Sequence, residues 1–320
     1  MKNLTFTFSL FIILALFSSA FAQNLNQGLV VYYPFSGDAD DVSENSLNAT
    51  VLGAELTSDR DGNANSAYFF NNYGDIIDIG DTAHFNFGQG SFSISYWFKT
   101  NATQAYMTVI TNGTGGWASG FLAGLNWATG KVIFAVGGGI GNTINSIGIL
   151  TVNNYYNDDT WHHVVNIVDQ VNSIAMIYVD GIKQEIEKYD AFGETGGSLV
   201  NDNTELDLTG IQYKAIASHP STTIGNSQYN QLFYGSLDEV KVYNRAITEE
   251  EVLLIHSGAT NTQEMTKIDH FKVYPNPVDG EVFSVYHDDV YNLQMFSIIG
   301  ELVYEVKGIS ENHEISANNF

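Results

Sequence analysis

Apolar and polar residues alternate with a period of two along most of the chain from Leu29 onward. The alternating runs are rich in β-branched and aromatic residues and are bounded by clusters of Gly, Asn and Asp, which is typical of strands joined by turns. The pattern predicts strands over 29–35, 66–70, 75–79, 91–100, 107–111, 131–136, 161–169, 173–179, 182–187 and 235–243. The sequence therefore predicts an all-β fold.

The strand SFSISYWFKT (91–100) indicates how the sheets are arranged. One face carries large apolar side chains, which are Phe92, Ile94, Tyr96 and Phe98. The other face is small and polar until Trp97. A strand of this kind fits a sandwich of two antiparallel sheets, in which one face of each sheet forms the core.

Two local signals predict a turn and a helix. Asp180-Gly181 separates two alternating runs and has the composition of a two-residue type I′ hairpin turn. Thr248 followed by Glu251 is a capping box at the start of a short apolar stripe, and Gly258 supplies a helix stop. The segment 259–266 has no periodicity and reads as a linker, after which a smaller β pattern occupies 267–320.

The composition limits the partners of the protein. The 320 residues include 36 acidic and 12 basic residues, for a net charge of −24. Such a charge repels nucleic acid phosphates and anionic lipid headgroups, so we expect neither as a partner. The absence of cysteine excludes disulfides, catalytic thiols and thiolate metal sites, so any metal would have oxygen or imidazole ligands.

The N-terminus predicts export. Lys2 precedes a mainly apolar run over 4–17, and Ala20 and Ala22 form an A-x-A cleavage pattern before Gln23. These features predict a signal peptide over 1–22. No other apolar run approaches the length of a membrane span, so we expect a protein that is secreted or held at the outer cell surface.

Five separated motifs resemble a known family. They are the opening GLVVYYPFSGDADDVSENSLNATVLGAELTSDRDGNANSAYFF, the strand SFSISYWFKT, WHHVV, the YVDG hairpin and GSLDEVKVYNRAITEEEV. Together they resemble the laminin G-like, concanavalin A-type jelly-roll domains of Bacteroidetes surface proteins. The resemblance implies an antiparallel jelly-roll sandwich over 23–258. It is weak over 113–160 and 189–220.

The C-terminal segment resembles a second family. KVYPNPVDGEVFSVY and YNLQMFSIIGELVYEV are similar to the type A C-terminal sorting domain of the type IX secretion system. The resemblance implies that residues 267–320 form a small β-sandwich that the secretion machinery recognises. Family members continue with further strands beyond a segment like ISANNF, so we expect the sorting domain here to be incomplete.

The acidic loop GDADDVSEN (37–45) suggests a structural calcium site. It supplies carboxylate and amide oxygens close together, which are the ligands that Ca²⁺ prefers, although the EF-hand pattern is not met. The resemblance implies that Asp41 and Asn45 lie in a metal-associated loop and that Asp238 lies close to it. The alternative is a solvated acidic loop without a metal.

Carbohydrate binding is the favoured function. A sugar needs an aromatic platform with amides or carboxylates nearby, and aromatic residues in predicted loops can provide one. The predicted ligand-binding residues are Trp117, Tyr156 (beside Tyr155) and Tyr229, whereas Trp97 and Trp161 are predicted to lie in the core. The partner is thus expected to be a glycan, with a surface protein as the alternative.

An enzyme on the same fold is a less favoured alternative. Laminarinase-type glycosidases place paired carboxylates at alternate positions of one strand. The nearest strings here are DIIDIGD (75–81) and LDEV (237–240). Asp75 and Asp78 are three residues apart and Asp238 and Glu239 are adjacent, so each pair would face opposite sides of a regular strand. No G-x-S-x-G element is present either. The sequence therefore predicts a non-catalytic, calcium-stabilised binding module.

Overall fold

The structure, a computed structural model, describes residues 24–80, 83–103, 107–113, 119–126, 129–138, 145–152, 155–188, 199–227, 231–258, 272–274, 282–296 and 302–316. The last three ranges are described by their backbone. Contacts divide the chain into one unit over 24–260 and a second that contains 261–320. This division lies close to the predicted end of the jelly roll at residue 258. The predicted signal peptide and linker lie outside the described residues.

The described elements are mostly strands. In chain order they are β1 Leu29–Tyr33, β2 Thr50–Leu52, β3 Glu55–Thr57, β4 Ala67–Phe70, β5 Ile76–Asp78, β6 Phe92–Lys99, β7 Met107–Thr111, β8 Phe121–Leu125, β9 Val132–Val136, β10 Ile147–Thr151, β11 Trp161–Asp169, β12 Ile174–Val179, β13 Ile182–Lys183, β14 Ile186–Lys188, β15 Leu199–Val200, β16 Glu205–Asp207, β17 Thr223–Ile224, β18 Gly235–Tyr243, the helix α1 Glu249–Ser257, β19 Lys272–Tyr274, β20 Val282–Phe296 and β21 Leu302–Ser316.

Two antiparallel sheets form the larger unit. Within the described residues, sheet A has the order β15-β16-β12-β11-β6-β18-β4-β3, with β1 added on β18 and β13 on β12. Sheet B has the order β14-β10-β9-β8-β7-β17-β5-β2. The N-terminal strand β1 pairs with the last strand of the unit, β18, so the two ends of the unit meet in one sheet. The predicted all-β, two-sheet antiparallel jelly-roll sandwich is confirmed.

The core lies between the sheets and is rich in aromatic residues. The largest fully buried side chains there are Tyr33, Tyr96, Tyr213, Phe35, Phe70, Phe85, Phe92, Phe98, Phe121, Phe134 and Phe233. The apolar face predicted for the strand at 91–100 is thus confirmed as a core face. Each such ring contributes on the order of 1.5–3 kcal/mol when it is buried. This core explains how the unit folds without disulfides.

The predicted type I′ turn and helix are both present. Asp180 and Gly181 have φ values of 51° and 77°, as the turn requires, and Val179 pairs with Ile182 across it. Helix α1 begins after Thr248, whose side chain accepts from the Glu251 N–H while Glu251 caps the Thr248 N–H in return. The helix ends at Gly258 in the left-handed conformation.

Helix α1 packs on the outer face of sheet A. Val252 and Ile255 of the helix join a small apolar cluster with outward-facing residues of β11 and β12, including Val165 and Met176. The capping residue Glu251 also forms a two-pronged ion pair with the Arg245 guanidinium, at 2.6 and 2.7 Å. The helix therefore has a fixed position over part of the sheet.

Gly225 marks a close approach between the two sheets. Its φ is +83°, and a Cβ atom built there would lie 2.1 Å from the ring of Phe70. A larger residue would therefore clash with the core and also require a left-handed backbone.

The second unit contains a three-stranded antiparallel sheet with the order β19-β20-β21. Its long strands β20 and β21 pair from Val282 with Ser316 to Phe296 with Leu302, with several register shifts. Across all the described residues, no helix combines the length and apolar character needed to cross a membrane.

Candidate ligand-binding cleft

A row of side chains crosses the outer face of sheet A. Trp161 on β11 is opposite Lys99 on β6, Lys99 is opposite Ser236 on β18, and Ser236 is opposite Phe69 on β4. Residues that pair across a sheet point to the same side, and Phe98, Leu237 and Phe70, which adjoin Lys99, Ser236 and Phe69 in the sequence, belong to the core. The row therefore faces away from the core.

A second row lies two residues further along the same strands. It consists of His163, Trp97 and Asp238, which pair across β11, β6 and β18. His256 of helix α1 stacks on Trp97 with ring centroids 5.4 Å apart, and His163 stacks on Trp97 at 5.1 Å. The helix thus covers the second row.

The first row forms the floor of a cleft of about 480 Å³. Its walls come from the loop after β3 and from the segments that follow β6 and precede β11. The lining residues are Thr57, Ser58, Asp59, Phe69, Lys99, Thr100, Asn101, Asp159, Trp161, Gly235 and Ser236.

The cleft combines apolar ring surface with polar groups. Phe69 is 38% exposed and Trp161 is partly exposed, so both rings are accessible to a ligand. The Lys99 ammonium lies 3.8 Å from the Asp159 carboxylate, a loose pair that leaves both groups able to bind a ligand. Asn101 adds an exposed amide. Ring faces beside hydrogen-bonding groups of both kinds suit a ligand with apolar and hydroxyl-bearing surfaces.

Asp59 is held in place within the wall of the cleft. One carboxylate oxygen accepts from the N–H groups of Asp61 and Asn63, at 2.9 and 2.8 Å, and the other accepts from the Asn63 side-chain amide. Partial burial raises the pKa of Asp59, but these hydrogen bonds and the charge of Arg60 lower it more. The pKa of Asp59 therefore lies below its ordinary value, and the group is ionised at neutral pH.

Arg60 ties this wall to the floor. Its Nη1 donates to Asp238 Oδ2 at 3.0 Å, and its guanidinium lies 4.7 Å from the centroid of the Trp97 ring. Asp238 is only 1% exposed. Burial and the nearby Glu239 carboxylate raise the pKa of Asp238 to about 7, although Arg60 opposes the shift. The wall thus rests on a buried ion pair stacked against an aromatic ring.

The placement of Asp238 and Glu239 corrects one sequence expectation. The two acids were expected to face opposite sides of a regular strand, but β18 has a bulge between Asp238 and Lys241. Glu239 occupies the bulge with φ of 52° and pairs with the Lys241 ammonium, which lies 4.0 Å from the Tyr32 ring centroid. The bulge brings the two carboxylates close enough for Glu239 to raise the pKa of Asp238.

His163 is buried beside this ion pair as a neutral side chain. Its Nε2 lies 2.9 Å from Ser95 Oγ. Burial lowers the pKa of His163 well below its ordinary value, and the charges of His256, Lys241 and Arg60 act in the same direction. The second row is thus a structural support beneath helix α1.

The predicted calcium ligands do not fit a calcium ion. The Asp41 carboxylate already accepts four hydrogen bonds, at 2.8–2.9 Å, from the N–H groups of Tyr32, Ser43 and Leu47 and from the Ser43 hydroxyl. The Asn45 amide donates to the Val30 carbonyl at 2.8 Å. A carboxylate that accepts four donors has its lone pairs occupied.

Asp238, the third predicted calcium ligand, faces a cation instead of an open site, because Arg60 lies at 3.0 Å. Among the residues that the structure describes, no group of three or more His, Cys, Asp or Glu side chains is arranged to hold a metal ion. The acidic loop is thus organised by protein donors.

The structure does not support the one predicted sugar-binding aromatic residue that it describes. Tyr156 lies in the core, is 5% exposed and has its hydroxyl 2.9 Å from Gln184 Oε1, so its ring face is not available for stacking. Trp117 and Tyr229 lie outside the described residues. Trp97 is buried as predicted, whereas Trp161, also predicted to be in the core, lines the cleft. Both residues face outward, and only the position of helix α1 distinguishes them.

Comparisons with known proteins agree with this architecture. A laminin G family model, described as the concanavalin A-like lectin/glucanases superfamily, matches residues 71–253, which is more than half of the chain. A comparison with curated proteins found no match.

Among solved structures, the binding domain of Paraclostridial Mosquitocidal Protein 1 is 15% identical over 84% of this chain, with a TM-score of 0.55. The binding domain of Botulinum Neurotoxin DC in complex with SialylT is 14% identical over 73% of this chain, with a TM-score of 0.48. This chain spans 66% of the first structure and 52% of the second. The likeness to the first shows a shared fold. With its two-sheet jelly roll and the match over 71–253, the chain belongs to the concanavalin A-like lectin/glucanases superfamily.

Proposed function

We propose that the protein is a non-catalytic binding module whose ligand is a carbohydrate, bound in the cleft on sheet A. The observation that carries this proposal is the row of Trp161, Lys99, Ser236 and Phe69, with Asn101 at its rim. Pyranose rings have apolar C–H faces that stack on aromatic rings and hydroxyls that bond to amides, carboxylates and ammonium groups.

The charges of the cleft favour this ligand over anionic ones. Asp59 and Asp159 line the cleft with one cation, Lys99, and the whole chain carries a net charge of −24. Anionic polymers would be repelled on approach, whereas hydroxyl-rich neutral molecules would not.

The carboxylates support a non-catalytic role. A glycosidase general acid needs a raised pKa, but the pKa of Asp59 is lowered. Asp75 and Asp78 accept hydrogen bonds from backbone N–H groups of their own turns. Asp238 has a raised pKa but is only 1% exposed and is paired with Arg60. The same fold serves as the binding domain of Paraclostridial Mosquitocidal Protein 1, which is consistent with binding as the task.

A glycan array with the full chain, followed by calorimetric titration of the best ligand, tests the proposal. Trp161→Ala should weaken binding about tenfold or more, because a stacked aromatic ring contributes roughly 1.5–3 kcal/mol. Val171→Ala is the matched control, since Val171 is 90% exposed beyond the opposite end of β11. Unchanged binding by Trp161→Ala, or an array without any bound glycan, would contradict the proposal. Release of reducing sugar would show an enzyme instead.

A protein ligand is the second candidate, and the edge of sheet A favours it. Strand β3 forms this edge in the described part of the sheet, and Leu56 on β3 is exposed. An exposed edge strand can pair with a strand of another protein. Capture of a surface protein that Trp161→Ala leaves intact and Leu56→Asp abolishes would favour this candidate.

We further propose that the protein works outside the cell or on its outer surface. The signal peptide pattern over 1–22 and the resemblance of 267–320 to the type IX sorting domain support this location. N-terminal sequencing of the exported protein should begin at Gln23, and loss of export after deletion of 267–320 would support recognition by the secretion machinery. Retention of the full chain inside the cell would contradict the proposal.

A further inference from the structure

A pair of tyrosines, one exposed and the other partly exposed, lies beside the cleft. Tyr73, in the loop after β4, is 66% exposed. Its ring meets that of Tyr234 edge to face, with centroids 6.5 Å apart and planes at 86°. Large aromatic rings at a protein surface are commonly covered by loops, so an accessible pair beside a cleft suggests a contact surface for a ligand.

Strand pairing fixes where this pair lies. Phe69 is opposite Ser236 and Phe70 is opposite Gly235. Tyr234 comes just before Gly235 in the sequence and therefore lies next to the end of this pairing. Tyr234 lies just outside β18 and is partly exposed, whereas the preceding residue, Phe233, is buried in the core. Thr100, which lines the cleft, donates its hydroxyl to the Tyr234 carbonyl. The pair thus lies beside Thr100 and Gly235, at the end of the cleft.

The combined surface is longer than one sugar. Trp161 on β11 and Phe69 on β4 are separated by three strand spacings, which is about 14 Å. The tyrosine pair extends this distance further along β4. A monosaccharide can stack on one of these rings at a time, whereas a chain of several sugars can contact all of them.

We propose that the cleft and the Tyr73–Tyr234 pair together bind an interior stretch of an uncharged polysaccharide chain. This inference rests on the proposed carbohydrate-binding function. Lys99 is offset by Asp159 at 3.8 Å, and Asp59 adds a negative charge, so the surface carries no surplus cation for an acidic sugar. Trp161 provides one aromatic contact with the chain and Tyr73 provides another at the far end.

Calorimetric titration of the full chain with laminari-, cello-, manno- and xylo-oligosaccharides of two to six units tests the inference. For the series that binds, affinity should rise at least tenfold from the disaccharide to the hexasaccharide. Tyr73→Ala should remove most of that gain and leave disaccharide binding unchanged, whereas Tyr73→Phe should retain it. Trp161→Ala should weaken binding at every length, and Val171→Ala should weaken none.

The outcomes separate this inference from the function on which it rests. If Trp161→Ala abolishes binding but the affinity of the wild-type protein does not depend on chain length, the inference is overturned and the binding function stands. The same holds if Tyr73→Ala binds the hexasaccharide as tightly as the wild type does. Tighter binding of polygalacturonate than of neutral chains overturns the assignment of an uncharged ligand. If no carbohydrate binds at any length, both are overturned.

Discussion

The Asp238→Asn substitution tests the electrostatics beneath the cleft. In the folded protein, burial and the Glu239 carboxylate raise the pKa of Asp238 from 3.8 to about 7, despite the Arg60 guanidinium at 3.0 Å. In the unfolded chain the pKa returns to its ordinary value. The folded state therefore binds this proton more tightly than the unfolded state does.

The size of the effect follows from the difference in pKa. A raised pKa in the folded state adds stability that is fully present below 3.8 and is lost as the pH rises through about 7. A shift of this size corresponds to about 4 kcal/mol. Asparagine does not titrate, so the free energy of unfolding of the wild type, minus that of Asp238→Asn, should fall by about 4 kcal/mol between about pH 4 and pH 8.

His163 acts in the opposite direction. Its pKa in the folded state is lowered, so its contribution is present above its unfolded value of 6.5 and is lost as the pH falls below that value. The same histidine is present in both proteins, so its contribution largely cancels in the difference. The comparison of the two proteins, rather than the pH profile of either, isolates Asp238.

Urea unfolding followed by tryptophan fluorescence provides the measurement. The four tryptophans all lie within residues 24–260, so their emission reports on the larger unit. Unchanged denaturant slopes in the two proteins would show that the same transition is compared. A difference that is constant with pH, or one that grows as the pH rises, would refute the reasoning.

Three further predictions concern stability. Gly225 and Gly62 have nearly the same φ, +83° and +84°, so alanine at either position should lower the free energy of unfolding by about 1–2 kcal/mol through backbone strain. A Cβ at Gly62 meets nothing within 4 Å, whereas one at Gly225 clashes with Phe70, so Gly225→Ala should lose about 1–3 kcal/mol more in urea unfolding. Equal losses would contradict the clash with the core. Thr248→Ala should lower the free energy of unfolding by about 1 kcal/mol, because the Glu251 N–H loses its acceptor; no loss would show that the cap is dispensable. Asp41→Asn should lower stability by about 1–3 kcal/mol, equally in calcium and in chelator, and a loss seen only with calcium would contradict the conclusion that protein donors occupy the carboxylate.

Local signals in the sequence were sufficient for much of the sandwich. The strand at 91–100, the Asp180-Gly181 turn and the capping box at Thr248 are confirmed because each depends on neighbouring residues alone. Strands β8 and β10 were not predicted. Every residue of both is buried, as in β7 and β9, but β8 and β10 each also contain a glycine, a residue depleted in strands, so neither shows a recognisable strand pattern.

The sequence by itself determined the signal-peptide pattern, the acidic character, the fold class and the strands that carry Trp97 and Trp161. It did not determine that both tryptophans face away from the core, nor which of the two is accessible, because alternation within one strand does not show what covers its outer face. Helix α1 has nine residues, about 14 Å, and it covers the row of Trp97 but leaves the row of Trp161 open. The register of β11, β6, β18 and β4 then assembles the cleft from residues as distant in sequence as Phe69 and Ser236, and pairing at that distance is decided by packing of the whole sandwich.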